Sequence, residues 1–285
     1  MLNKMFLPIA ALACVSLSAG TGKGVKSKLI DYKTVGGSSL KMKIYYPPGW
    51  QPGNKKLPAI VFFFGGGWRS GTIDHFARQA EYLANRGMIA ICPQYRTGKS
   101  HKVTPDKCVE DAKSAMRYVY ANADKLGVDK ARIAAGGGSA GGQLAAATAF
   151  CPGFDAPNED LKITCKPVAL VLFNPAVDIS PSGCGYELVK AYWRNFSPTH
   201  NIGPNKLPVL FMIGDRDRLI PLATAKEFKR KIEKNGGSCE LIIYPGAGHG
   251  FFNYMKKGIK SKYFPKTIND MDKFLVKQGF ITAQK

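Results

Sequence analysis

Six short, nearly unbroken apolar runs recur along the chain: LPAIVFFF (57–64), MIAIC (88–92), RIAA (132–135), VALVLF (168–173), VLFMI (209–213) and LIIY (241–244). Runs of this length without polar alternation are strands covered on both faces, as in a parallel sheet sandwiched by helices. An earlier stretch, SLKMKIYYP (39–47), does alternate and ends at Pro47-Pro48, so it predicts a half-exposed strand. Helical patterns fill the intervals. Residues 74–86 open with an Asp and close before Gly87, and Thr104-Pro105-Asp106 starts a helix with Pro in its first turn. Val109, Ala112, Ala115, Met116 and Val119 supply that helix's apolar stripe, and further helices are expected at 139–150, 222–234 and 265–278. Strand and helix in alternation predict one α/β domain over 21–285, a mostly parallel central sheet of about eight strands with helices on both faces. The one long irregular stretch, 174–206, carries Tyr186, Tyr192, Trp193 and Phe196, which either line a cleft or pack a small cap region onto the domain.

Composition narrows the partners. Of 285 residues, 45% are hydrophobic and 21% charged, which excludes a disordered, collagen-like or coiled-coil chain. Lys and Arg outnumber Asp and Glu by 41 to 20, a net charge of +21. The basic residues are spread along the chain with only short clusters, such as Lys226, Lys229, Arg230 and Lys231, and accompany no nucleic-acid module, so a specific nucleic-acid function is not expected. A solvated basic surface is one reading, and attraction to an anionic polysaccharide or an anionic cell envelope is the other.

At the N-terminus, Lys4 precedes an apolar run too short to span a bilayer, followed by Ser18, Ala19 and Gly20. That pattern predicts a secretory signal peptide over residues 1–20, hence a periplasmic or extracellular protein without a transmembrane helix. Cys14 as a lipoprotein anchor is the lesser reading, since Ala11 is a poor residue three places before it. Export leaves Cys92, Cys108, Cys151, Cys165, Cys184 and Cys239 in a compartment that permits disulfides, and Cys151–Cys165 is the expected pair, closing one short loop. No ligand spacing for zinc is present, and neither a metal nor a cofactor is expected.

The chemistry concentrates in RIAAGGGSAGGQLAAA (132–147), where Gly137-Gly138-Ser139-Ala140-Gly141 reads G-x-S-x-G between a strand and a helix. Such a tight turn forces the central residue into a strained conformation that lifts its hydroxyl above the sheet. A competing reading, the dinucleotide fingerprint of Gly136, Gly138 and Gly141, lacks its acid, because Asp155 lies in loop sequence. Gly98-Lys99-Ser100 fails as a phosphate loop, with Pro93 where a Gly is needed. A serine nucleophile needs a base and an orienting acid, in the chain order Ser, acid, His for this architecture. His75 and His101 precede Ser139. His249, on a Gly-rich loop after the last apolar run, is the preferred base, with His200 behind it. For the acid, Asp217 is preferred, then Asp215, then Asp178. In FFFGGGW (62–68), three glycines after a buried strand leave backbone N–H groups bare toward developing negative charge.

With FFFGGGW, Tyr95-Arg96, DAKSAMRYV (111–119), GGGSAGG, SPTHNI, GDRDRLIP and GAGHGF in place, the chain resembles an α/β-hydrolase, specifically secreted bacterial esterases of the hormone-sensitive-lipase type and acetylxylan esterases. The resemblance implies Ser139 as nucleophile, Asp217 as acid (four residues before Pro221), His249 as base, and the backbone N–H groups of Gly66, Gly67 and Ala140 as the oxyanion hole. Phe64 stands where many relatives carry a His that supports the glycine loop. The implied reaction is ester hydrolysis by way of an acyl-enzyme. The modest 174–206 region offers no large lid and so predicts short acyl groups, acetyl above all, while export and the basic surface make an acetylated polysaccharide or oligosaccharide a fitting substrate. A secreted peptidase of the prolyl-oligopeptidase kind shares the same three residues but usually carries a propeller, and a non-catalytic binding protein of this fold would normally have lost one of them.

Overall fold

The computed structural model describes residues 17–19, 24–51, 53–256 and 259–284. Among these residues nine strands form one sheet: β1 (Leu17–Ala19), β2 (Lys26–Val35), β3 (Ser38–Tyr46), β4 (Leu57–Phe63), β5 (Ile89–Pro93), β6 (Val128–Gly138), β7 (Ala169–Phe173), β8 (Pro208–Gly214) and β9 (Ser238–Tyr244). Their order is β1-β2-β3-β5-β4-β6-β7-β8-β9. From β5 to β9 every neighbour is parallel, whereas β3 runs antiparallel to β5 and to β2. β1 falls at the end of the stretch read as a leader, whose residues 1–16 and 20, with Cys14, lie outside the described ones. Eight strands remain without it, as the sequence suggested.

The apolar runs are continuous because both sheet faces are roofed. On β4, Ala59, Val61 and Phe63 enter one buried cluster while Ile60 and Phe62 enter the other. Over the first face lie α3 (Pro105–Ala121), α5 (Ala140–Phe150) and α7 (Leu222–Lys234), and over the second α1 (Ala77–Asn85) and α8 (Phe264–Lys277). Each large side chain removed from water there contributes about 2 kcal/mol, which makes these faces the principal stabilising element. Short helical turns, α2 (Gly98–His101), α4 (Ala123–Leu126) and α6 (Trp193–Phe196), two 3-10 turns (Tyr186–Leu188 and Pro198–His200), and a hairpin of β10 (Met255–Lys256) with β11 (Ile259–Lys260) lie between or beyond these elements. Among the described residues no helix is long and apolar enough to cross a membrane.

Two expectations need correction or resolution. Cys151 and Cys165 do not form a disulfide, and Cys92, Cys108, Cys184 and Cys239 are free as well. The Cys151 thiol donates to the Phe196 carbonyl at 3.5 Å and the Cys165 thiol to the Thr148 carbonyl at 3.6 Å. Both serve as small apolar core groups, and burial pushes each thiol pKa up. The aromatics of 174–206 turn out to pack rather than to line a cleft. Phe196 is fully buried against Trp68, Phe154 and Tyr192, while Trp193 stands edge-on to His200.

Candidate active site

The site is assembled from loops at the carboxyl ends of β4, β6, β7, β8 and β9, where side chains rise from a rigid platform. Ser139 occupies the turn between β6 and α5 with φ +55° and ψ −123°, a conformation that L-residues rarely adopt. The flanking glycines explain how the turn closes: a Cβ on Gly141 would lie 2.1 Å from the Phe63 carbonyl oxygen, and one on Gly137 2.5 Å from the Gly141 backbone. Hydrogen bonds fix it further, with the Ser139 N–H donating to Phe173 O at 3.0 Å and the Ser139 carbonyl accepting from Gln143 N–H at 3.0 Å.

Three of the anticipated residues meet. Ser139 Oγ lies 3.0 Å from His249 Nε2, and His249 Nδ1 lies 2.8 Å and 3.1 Å from the two carboxylate oxygens of Asp217. The Asp217 carboxylate is fully buried and accepts the backbone N–H groups of Leu219 at 2.9 Å and Ile220 at 3.0 Å. Burial alone pushes its pKa up, but the bonds from His249, Ile220 and Leu219 outweigh that and hold it below the usual carboxylate range. Asp215 is exposed and braces Gly246 N–H at 2.7 Å instead. His200 and Asp178 stand together at 3.9 Å beside the cap, outside the cavity that Ser139 and His249 line. Of the candidates weighed for base and acid, His249 and Asp217 are therefore the pair brought to the serine.

That cavity, of about 440 Å³, is lined by Gly66, Gly67, Ala140, Leu219 and Phe252 among others. Among the described residues, no backbone hydrogen bond engages the N–H groups of Gly66 or Gly67, and Ala140 opens α5, where first-turn N–H groups have no partner within the helix. The loop that bears the glycines is tied down by Gln143, whose Oε1 accepts from Trp68 Nε1 at 3.0 Å and whose Nε2 donates to Phe196 O at 2.9 Å. Bare backbone donors beside a hydroxyl–imidazole–carboxylate relay can carry acyl transfer. No group of three potential metal ligands occurs among the described residues.

Two residues near His249 or the cavity escaped sequence reasoning, one beside the imidazole and one in the cavity wall. Asn174, fully buried after β7 with φ +35°, sets its amide nitrogen 3.3 Å from His249 Nδ1 and 3.5 Å from Nε2. An Asn-Pro pair just past a buried strand was its only signal. His75, set aside because it precedes Ser139, lines the cavity itself.

Over 90% of its length the chain superposes on 97% of the solved structure of Thermogutta terrifontis esterase 2 phosphoramylated by tabun, with a TM-score of 0.85 and 41% identity. The chain belongs to the α/β-hydrolase esterases. Two models of hydrolase families match consecutive parts of it, BD-FAE over residues 42–178 and the dienelactone hydrolase family over 187–278. Among curated α/β-hydrolase relatives, Mycobacterium tuberculosis esterase LipC is 28% identical over 69% of this chain and 54% of its own length. The Pseudomonas putida ethyl acetate hydrolase is 27% identical over 78% of this chain and 74% of its own. The chain thus spans about half the length of LipC, and 37% of the carboxylesterase NlhH of Mycobacterium tuberculosis, to which it is 33% identical in that part. Kinship with esterases of the hormone-sensitive-lipase type agrees with the sequence resemblance.

Proposed function

We propose that the protein is an exported serine carboxylic-ester hydrolase that removes short acyl groups, acetyl above all, from a carbohydrate ester. The relay Ser139–His249–Asp217 beneath the bare amides of the glycine loop is the observation that carries this reading. Ser139 Oγ attacks the ester carbonyl while His249 Nε2 takes its proton, and the buried Asp217 carboxylate holds the imidazole in one tautomer and stabilises the imidazolium. The tetrahedral oxyanion rests on the N–H groups of Gly66, Gly67 and Ala140. His249 then returns the proton to the leaving alkoxide, and water, deprotonated by the same imidazole, cleaves the acyl-enzyme.

A cavity of about 440 Å³ lies toward the small end for ligand sites and supports a short acyl group. The Thermogutta terrifontis enzyme has been solved with propionate and with butyrate bound, which points the same way. A second cleft, about 680 Å³, shares Gly66, Gly67 and Trp68 with the first and offers room for the alcohol. Its charged lining consists of Arg69 and Lys99, held side by side because Lys99 N–H donates to Arg69 O at 2.8 Å. With a net charge of +21, this supports an acetylated polysaccharide bearing carboxylates, or an anionic envelope surface, as the partner. Export rests on the leader pattern after Lys4.

The test is hydrolysis of p-nitrophenyl acetate and butyrate by the wild type beside Ser139→Ala, followed by acetate release from acetylated polyuronate and acetylated xylan. Acetate turned over faster than butyrate, a dead variant and a preference for the polyuronate that high salt erases are the expected results. Equal turnover by Ser139→Ala, or cleavage of a peptide anilide with no ester turnover, overturns the esterase reading.

A further inference from the structure

One peptide plane at the base of the glycine loop is held at both ends. The carbonyl of the Phe64–Gly65 peptide accepts from the Tyr95 hydroxyl at 2.8 Å, and the N–H of the same peptide donates to His75 Nδ1 at 3.0 Å. Tyr95 is itself buried, its ring stacked on that of Phe64 at 3.9 Å between centroids. A backbone N–H can only donate, so Nδ1 of His75 is an acceptor and the ring proton sits on Nε2. That nitrogen lies 2.6 Å from Asn253 Oδ1, which accepts it. Asn253 lies four residues after His249 on the same loop. The chain of bonds Gly65–His75–Asn253 therefore couples the start of the glycine loop to the segment that carries the imidazole opposite Ser139. Burial lowers the His75 pKa, with the bond to Asn253 acting in the opposite direction, which keeps the ring in the neutral form that can accept.

We infer that His75 is a positioning residue for the oxyanion hole, fixing the rotation of the Phe64–Gly65 peptide and through it the aim of the Gly66 and Gly67 N–H groups. The inference rests on the esterase reading above. Phe64 contributes its aromatic ring to the stack with Tyr95 and offers no side-chain hydrogen bond, so the loop is secured from outside itself, by residues of two other segments. Rotating this peptide would turn the amides that follow it away from a developing oxyanion, and such donors act only when already aimed. Ground-state binding would change little, since the ester carbonyl gains most from these donors as it becomes an oxyanion.

The experiment compares His75→Asn, His75→Gln and His75→Ala by steady-state kinetics on p-nitrophenyl acetate, with melting temperatures alongside. The Asn side chain places Oδ1 where Nδ1 stood and can accept the Gly65 N–H; Gln reaches toward Asn253 and leaves Gly65 unpaired. Expected is a fall in kcat of about ten- to a hundredfold for Ala and Gln with KM within about threefold of wild type, and recovery of most of kcat in Asn. Binding of a boronic-acid transition-state analogue should weaken in step with kcat. A kcat in Ala or Gln equal to wild type, an Asn variant no better than Gln, or losses that follow melting temperature alone overturn the inference. A wild type inert toward all esters would instead fail the esterase reading itself.

Discussion

The carboxylates of Asp111 and Asp217 are both fully buried, and they are buried in opposite ways. Asp111, on α3, is enclosed by cations: Lys33 Nζ lies 2.7 Å from one oxygen and Arg96 Nε 2.8 Å from the other, with Glu110 sharing both partners. Among the described residues Asp217 pairs with no Lys or Arg, and its partners are one imidazole and two backbone N–H groups. The first network is complete at all times and clamps β2, the turn after β5 and α3 together. The second becomes an ion pair only when His249 accepts a proton from Ser139. A buried charge with its counter-ions in place is structure; one held by neutral dipoles stands ready for a positive charge that arrives during the reaction.

Asparagine substitutions break this contrast from both sides. Asp217→Asn should lower kcat by about four orders of magnitude, because the amide favours the wrong imidazole tautomer while the fold persists. Ester turnover and far-UV circular dichroism measured on one sample check this; retention of more than a tenth of the activity would contradict it. Asp111→Asn should act in reverse, destabilising by about 3–5 kcal/mol by leaving Lys33 and Arg96 short of a partner, with kcat per folded molecule unchanged. Urea unfolding reads the first quantity and active-site titration the second. The smallest effect concerns acid. Asp217 titrates below the ordinary aspartate value of 3.8, so its bonds contribute stability that is fully present above that pH and lost as pH falls through the lower, folded value. Melting temperatures from pH 5 down to 2.5 should therefore decline less steeply in Asp217→Asn than in wild type.

The parts of this architecture most legible in the sequence are those buried on both sides. The apolar runs became β4 to β9, and the G-x-S-x-G segment lies at the turn between β6 and α5. What escaped was governed by partners distant in sequence. β2 is half-exposed and rich in Lys, so its apolar pattern is faint, and its place is set by pairing with β3 across the Gly36-Gly37 turn. The helix expected from Asp74 begins at Ala77, since Asp74 pairs with Lys43 and the preceding turn presents His75 to the Gly65 N–H. β6 runs on through Gly136, Gly137 and Gly138, which pair with β7 although glycine is a poor strand former. Asp217 was separable from Asp215 only by resemblance. The two stand two residues apart, and what distinguishes them is that one carboxylate points inward beneath an imidazole and the other into solvent.

The backbone of Ser139, at φ +55°, has an evolutionary consequence. A non-glycine residue held there is destabilised by about 1–3 kcal/mol, and glycine would relieve most of that. The mutation that most directly eases this turn is therefore the one that erases the hydroxyl. Drift toward a sturdier fold and retention of the serine pull in opposite directions at a single codon, so persistence of Ser139 requires selection on chemistry and not on folding.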